Sequence, residues 1–265
     1  MNRVYEALKQ TGRVRTDGLR SQPPAAADGR AWDEGAANDT WPLPRYGAGP
    51  ALIAGNNLYR CANDRFQLLS ARLQALAAER NRRLFAVTSA LAGEGKSFVA
   101  LNLAASLAQS GARVLLIDAD LRTPSLHWAL KLSPVQGLLS YLMQRTDFES
   151  SMQGTRLAGL TLIPAGAAAP SAPELFACPR MRELIAAARA EYARDYIVID
   201  CPAALAAAEA QIVARMADAL VMVIGANRTP RHAVARALDQ LSGCEIAGLV
   251  LNRFEPSYSC KAEYA

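Results

Sequence analysis

Histidine and cysteine are scarce in this chain, and neither is patterned. The two histidines, His127 and His232, lie on helical stretches near arginines and read as packing or surface residues. No Ser/His/Asp set can be assembled from them, which excludes a triad hydrolase. The five cysteines, Cys61, Cys178, Cys201, Cys244 and Cys260, are scattered, odd in number and form no Cys-x-x-Cys pair. That argues against a disulfide framework and against a zinc site. No apolar run approaches the roughly 18–20 residues of a membrane span. Met1 to Gln10 is amphipathic and lacks a long apolar region followed by a cleavage site, so it does not read as a signal peptide. The expected location is the cytoplasm. The formal charge of +5 is spread along the chain, and no nucleic-acid partner is expected.

What is present is apolar. Hydrophobic residues make up 51% of 265, enough for one large α/β domain with a full core and room for an extra segment. Residues 1–11 read as a short helix with Val4, Tyr5 and Leu8 on one face, either a fraying end or a docking element. Residues 12–59 read as a flexible linker, rich in Gly, Pro, Ala, Asp and Arg up to residue 50 and without apolar periodicity there. Phe66, Leu69, Leu73 and Leu76 recur at helical spacing in 64–80. Strands are expected at 83–89, 113–118, 160–163, 195–200, 218–224 and 246–251. Helices are expected at 96–109, near 137–144, and at 179–193, 205–216 and 229–241. Continuous apolar strands alternating with helices predict a mostly parallel sheet flanked by helices, a three-layer α/β fold over residues 60–255. Ligands then sit at the carboxyl ends of the strands. Residues 256–265 form a polar tail.

Three of those strand ends carry chemistry. The first is Thr88-Ser-Ala-Leu-Ala-Gly-Glu-Gly-Lys-Ser97, between an apolar strand and a helix. Gly93, Glu94 and Gly95 bring backbone N–H groups towards phosphate oxygens, and Lys96 adds a positive charge. Ser97 offers a hydroxyl to Mg²⁺, and the helix start, through Phe98, adds its dipole. The second is Val114-Leu-Leu-Ile-Asp118-Ala-Asp120-Leu-Arg122, where a buried strand delivers two carboxylates. Asp118 and Asp120 can hold Mg²⁺ through water or accept a proton; equally, they can cap the following turn. The third, Tyr196-Ile-Val-Ile-Asp200-Cys-Pro202, ends in an acid suited to the Mg²⁺ shell. Asn252 ends a fourth apolar run, where its amide suits either an adenine edge or a turn. Tyr258 and Tyr264 in the tail are either phosphoacceptors or ordinary tail residues.

On these motifs the chain resembles the bacterial tyrosine kinases of capsule and exopolysaccharide synthesis, the CpsD/CapB type, P-loop proteins related to MinD and ParA ATPases. The resemblance covers roughly residues 60–258. Further matches are Gly137-Leu-Leu-Ser-Tyr-Leu142, Leu162-Ile-Pro-Ala-Gly166 with Pro173-Glu-Leu175, and Gly248-Leu-Val-Leu-Asn252. The resemblance implies ATP-dependent phosphorylation of protein tyrosine, including autophosphorylation of the tail. Lys96 and Ser97 would meet phosphate and Mg²⁺, Asp118 would be the base or a metal-shell acid, Asp120 and Asp200 would surround Mg²⁺, and Asn252 would meet the adenine. It also implies a partner, the cytoplasmic tail of a membrane chain-length protein (a polysaccharide co-polymerase) that holds the kinase at the inner membrane, and a homo-oligomer.

The chain departs from the family pattern at several points. Ala92 stands where a proline usually precedes Gly93, and Cys201-Pro202-Ala203 follows Asp200 where the family reads Thr/Ser-Pro-Pro. Only Tyr258 and Tyr264 remain of a tyrosine cluster. Asp64, Gln67 and Ser70 stand where Glu-x-x-Arg-x-x-Arg helps to build a ring of subunits. Leu91 stands where the MinD/ParA branch has its signature lysine. Three readings follow: a tyrosine autokinase, an ATP-switched interaction protein of the same system that has lost phosphotransfer, and a positioning ATPase.

Overall fold

The strands expected to be buried on both faces are the middle of one sheet. The computed structural model describes residues 52–53, 60–133, 136–169 and 173–254. The expected helix at 1–11, the linker apart from residues 52 and 53, and the tail with Tyr258 and Tyr264 lie outside them. In chain order the elements are α1 (Arg60–Arg80), β1 (Leu84–Ser89), α2 (Lys96–Gln109), β2 (Val114–Asp118), α3 (Leu126–Ala129), α4 (Leu138–Leu142) and α5 (Phe148–Ser151). They continue with β3 (Gln153–Gly154), β4 (Leu160–Ile163), α6 (Pro173–Ala177), α7 (Pro179–Glu191), β5 (Tyr196–Asp200), α8 (Ala208–Ala214), β6 (Ala219–Gly225), α9 (Arg231–Gln240) and β7 (Ile246–Asn252).

The sheet runs β3-β4-β2-β5-β1-β6-β7. Every neighbouring pair is parallel except β3 with β4. Every residue of β1, β2 and β5 is buried, because helices cover both faces of the central strands. That is why their sequences are continuous apolar runs and not alternating ones. Leu116, fully buried in β2, illustrates the consequence: truncation to alanine would cost about 2–5 kcal/mol in transfer and cavity terms. Edge strand β7 is only half-covered.

Helix α2 is buried almost throughout from Val99 to Ala108, between the sheet and α1. Small residues let α1 approach closely, and the seam holds a hydroxyl pair, Ser106 Oγ donating to Ser70 Oγ at 3.1 Å. Ser70 is therefore buried in the helix seam. Inside the expected linker, Ile53 is buried on the core, and its N–H donates to Asn102 Oδ1 at 2.8 Å. The apolar Leu52-Ile53 pair packs on the core there.

The register sets the site. In β5, Asp200 lies opposite Val87 of β1 on one side and Asp118 of β2 on the other. Three chemistry-bearing strand ends therefore stand side by side. The sequence expectations hold for the six long strands and for α2. Expected helix 205–216 shortens to Ala208–Ala214, and expected helix 229–241 starts after Pro230. Strand β3 and helices α3, α5 and α6 were not expected; at two to five residues they are too short to show periodicity.

Candidate functional site

The loop between β1 and α2 has left-handed backbone at two glycines, Gly93 with φ +81° and Gly95 with φ +90°. At Gly93 there is open space where a Cβ would stand, so backbone conformation alone calls for glycine. At Gly95 a Cβ would collide with the side-chain amide of Asn252. Gly95 is also the N-cap of α2 and offers no side chain to its first turn. The N–H groups of Lys96, Ser97 and Phe98, with the helix dipole, therefore face the loop as an anion site. Only the backbone of Phe98 can contribute, since its ring packs edge-on against Phe66 at 5.7 Å.

Lys96 is the one cation among three strand-end acids. Its Nζ lies 2.7 Å from Asp120 Oδ2 and donates to Ser97 Oγ at 3.1 Å. Burial works against its charge, but Asp200, Asp120 and Asp118 together outweigh burial and hold it as an ammonium. Burial also pushes the Asp120 carboxyl up; Lys96 and hydrogen bonds from Thr123 prevail and hold it below the usual carboxylate range. Asp118 and Asp200 are pushed the other way. Burial raises both, and the charge of Asp200 adds to it at Asp118. Asp118 accepts from the backbone N–H groups of Asp120, Ser125 and Leu126, and the last two partly offset that rise. The turn-capping reading of Asp118 and Asp120 is thus realised in geometry, while Asp120 also pairs with Lys96.

Asp200 is different. Both its carboxylate oxygens are buried with no hydrogen bond of good geometry among the described residues, and only the nearby Lys96 charge and Ser97 hydroxyl work against the rise that burial imposes. A buried carboxylate costs free energy unless something positive or donating meets it. Together with Ser97 and the glycine-shaped loop, this under-satisfied acid fits a Mg²⁺-bound triphosphate. The described residues hold no group of three or more His, Cys, Asp or Glu suited to a metal by itself. A Mg²⁺ here would be held by Ser97 and Asp200 together with phosphate oxygens and water, as in P-loop sites.

Two further contacts close the site. The side chain of Glu94 turns away from the cradle and accepts from Leu91 N–H at 2.7 Å, from Gly225 N–H at 3.2 Å and from the Thr229 hydroxyl. Asn252 Nδ2 donates to the Glu94 carbonyl oxygen at 2.8 Å. Arg122, after Asp120, reaches the Ala206 carbonyl and buried Glu209 near α8. The structure thus brings together Gly93, Glu94, Gly95, Lys96, Ser97, Asp118, Asp120 and Asp200, and adds Asn252 through the loop backbone. Sequence reasoning missed Gly225, Thr229 and Glu209. One signal pointed to the first two: an acid inside a loop shaped for an anion needs donors of its own.

Residues 82–242 match the family described as an AAA domain. The chain is 35% identical over 192 residues to the tyrosine-protein kinase YwqD of Bacillus subtilis (strain 168), covering 72% of this chain and 80% of that protein. It is 36% identical over 185 residues to the succinoglycan biosynthesis transport protein ExoP of Rhizobium meliloti (strain 1021), of which it spans only 23%. Among solved structures, the kinase domain of the Escherichia coli tyrosine kinase ETK superposes with a TM-score of 0.71 at 30% identity, over 78% of this chain and 83% of that one. The chimerical protein CapA2B2 gives 0.72 at 25% identity, over 80% and 95%. The septum site-determining protein MinD of Pyrococcus horikoshii OT3, complexed with Mg-ADP, gives 0.56 at 26% identity, over 66% and 72%.

Proposed function

The chain belongs to the bacterial tyrosine-kinase family of P-loop proteins, and from that premise we propose that it is an ATP-dependent protein-tyrosine autokinase that regulates capsular or exopolysaccharide synthesis and export. The observation that carries this reading is Lys96, 2.7 Å from Asp120, beside a glycine loop and a buried, under-satisfied Asp200. Mg-ATP supplies the phosphoryl group. The amides of Gly93 to Phe98 and the Lys96 ammonium would bind its phosphates, and Ser97 and Asp200 would hold the metal. Asp118, with its proton affinity raised, is suited to take the proton of a tyrosine hydroxyl. Positioning and charge neutralisation would do most of the catalysis, since phosphoryl transfer needs little covalent help.

Tyr258 and Tyr264 are the proposed acceptors, and phosphate there would add negative charge that loosens contacts between copies. Among the described residues no helix is long and apolar enough to cross a membrane. The proposed attachment is to the cytoplasmic tail of a membrane chain-length protein, which would keep the kinase at the inner membrane.

Phosphotyrosine mass spectrometry tests this reading, on protein incubated with Mg-ATP and a candidate activator tail. Lys96→Met is the matched control. Phosphate on Tyr258 or Tyr264 that vanishes in the control is the expected result. The runner-up is an ATP-switched interaction protein without phosphotransfer, favoured by Ser70, which is packed where the family carries a ring arginine. ATP binding with no phosphotyrosine would select it. A positioning ATPase is disfavoured because Leu91 stands at the place of the signature lysine and its N–H is engaged by Glu94.

A further inference from the structure

An acid inside a phosphate loop repels the ligand the loop is shaped for, unless its side chain is used elsewhere. Glu94 is only 5% exposed and gathers three donors: the N–H of Leu91 at the start of the loop, the N–H of Gly225 at the end of β6, and the hydroxyl of Thr229 just beyond it. Thr229 Oγ1 also accepts from Gly225 N–H at 3.0 Å, so the two partners brace each other. From the other side, the end of β7 takes the backbone of the same residue, Asn252 Nδ2 donating to Glu94 O at 2.8 Å. The Asn252 amide lies where a Cβ on Gly95 would stand. Strands β6 and β7 are paired through these ends, Gly225 opposite Asn252.

The geometry points to Glu94, Thr229 and Asn252 as a clip of positioning residues that sets the shape of the phosphate loop from the ends of β6 and β7. This rests on the reading above in that the loop receives Mg-ATP. The carboxylate holds the loop closed on its inner side. The Asn252 amide fixes the Glu94 carbonyl, leaving the following N–H groups turned towards the open side. One Asn252 donor is thereby committed to the loop, which makes Asn252 a holder of the cradle whose second N–H and carbonyl oxygen are left for other partners. The loop is then held for any nucleoside triphosphate alike, because the clip acts on its phosphate end.

Gln is nearly isosteric with Glu but replaces one acceptor oxygen with an amide donor. In either orientation one of the buried donors now faces another donor. Equilibrium binding of Mg-ATP and Mg-GTP to the full chain is the test, together with hydrogen exchange of the Leu91 and Gly225 amides in the nucleotide-free protein. Glu94→Gln should weaken both nucleotides by the same factor, about tenfold, and speed exchange at both amides. Thr229→Val should do the same to a smaller extent, and Thr229→Ser should restore wild-type values. Asn252→Ala should lower both affinities. Unaltered binding in Glu94→Gln and Thr229→Val, or a loss in Asn252→Ala confined to ATP, would overturn the clip. If the wild type binds neither nucleotide, the kinase reading fails instead, and amide exchange in Thr229→Val still decides the clip.

Discussion

The two rims of the sheet treat charge in opposite ways. At the rim where strands begin, arginines meet acids near solvent: Arg80 and Arg82 with Glu245, Arg113 with Glu191 and Asp195, and Arg189 with Asp218. At the rim where strands end, Lys96 stands among Asp118, Asp120 and Asp200, and among the described residues Asp200 has only the Ser97 hydroxyl and the Lys96 charge near it, with no hydrogen bond of good geometry. The first arrangement is closed, each acid having its basic partner. The second is short of positive charge and short of donors, in the place where solvent is excluded. A fold under selection for stability alone would not bury three carboxylates around one ammonium, because burying unpaired charge costs several kcal/mol. The deficit is what the proposed Mg-ATP would meet, a cation and an anion together.

The sharpest way to break that contrast is Lys96→Met. Phosphotyrosine formation should fall by at least about 10²-fold, the scale of losing a group aimed at developing charge. Side chains at Lys96 and Asp120 are 13% and 5% exposed, so the folded chain should also lose about 3–5 kcal/mol when the pair is broken. Denaturant unfolding measures the second effect separately from the first. Wild-type phosphotransfer in the variant would remove Lys96 from the site.

The rims should also answer pH with opposite signs. Asp118 and Asp200 have folded pKa values raised above those of the unfolded chain, burial being the main cause. Their contribution is fully present below the unfolded value of about 4 and is lost as pH rises through the raised ones. Asp218 is the reverse. Burial pushes it up, but Arg189 and the N–H groups of Leu84 and Arg83 prevail and hold it below the usual range. Its contribution is present above about pH 4 and is lost as pH falls through the depressed value. Stability of the nucleotide-free protein should therefore decline on both sides. Asp200→Asn should flatten the decline at higher pH, and Asp218→Asn the decline in acid. A single-sided profile that neither variant changes would contradict the contrast.

At fixed neutral pH, Asp218→Asn should cost about 1–3 kcal/mol, because it weakens charge-assisted bonds to two backbone N–H groups and to Arg189. Mg-ATP affinity should stay within about twofold of wild type, since Asp218 stands at the opposite rim. Calorimetric unfolding and nucleotide titration on the same preparation check both halves. An affinity loss matching that of Lys96→Met would mean that the rims are coupled.

Much of the working rim was legible in the sequence because its signals are local. Val114 to Asp118 and Tyr196 to Asp200 are apolar runs that end in an acid, and the positions flanking Gly95 announce the start of α2. What was not legible is long-range. Glu94 meets Thr229 across 135 residues and Asn252 meets Glu94 across 158, and no periodicity carries such pairings. The ion pairs of the starting rim were hidden for the same reason: Arg80 and Glu245 are 165 residues apart. Strand β3, two residues long, is held by its partner Leu160–Ile163 and has no propensity of its own to read.

The smallest effect is expected from Arg80→Ala. Arg80 donates to Glu245 at 2.9 Å, close to the 2.7 Å between Lys96 and Asp120. Yet the two side chains are 55% and 35% exposed, and Arg82 also reaches the same carboxylate oxygen. In high dielectric the Coulomb gain is modest, ordering two long side chains offsets part of it, and salt screens the rest. Arg82 remains to meet Glu245 when Arg80 is removed, so no acid is stranded. The unfolding free energy should move by no more than about 0.5 kcal/mol. Denaturant midpoints of wild type and variant at low and high salt measure it. A shift above about 1 kcal/mol would show that the starting rim is as tightly coupled as the other. Comparable distances with unequal consequences would place the difference between the rims in burial and unmet charge, not in how close the charges stand.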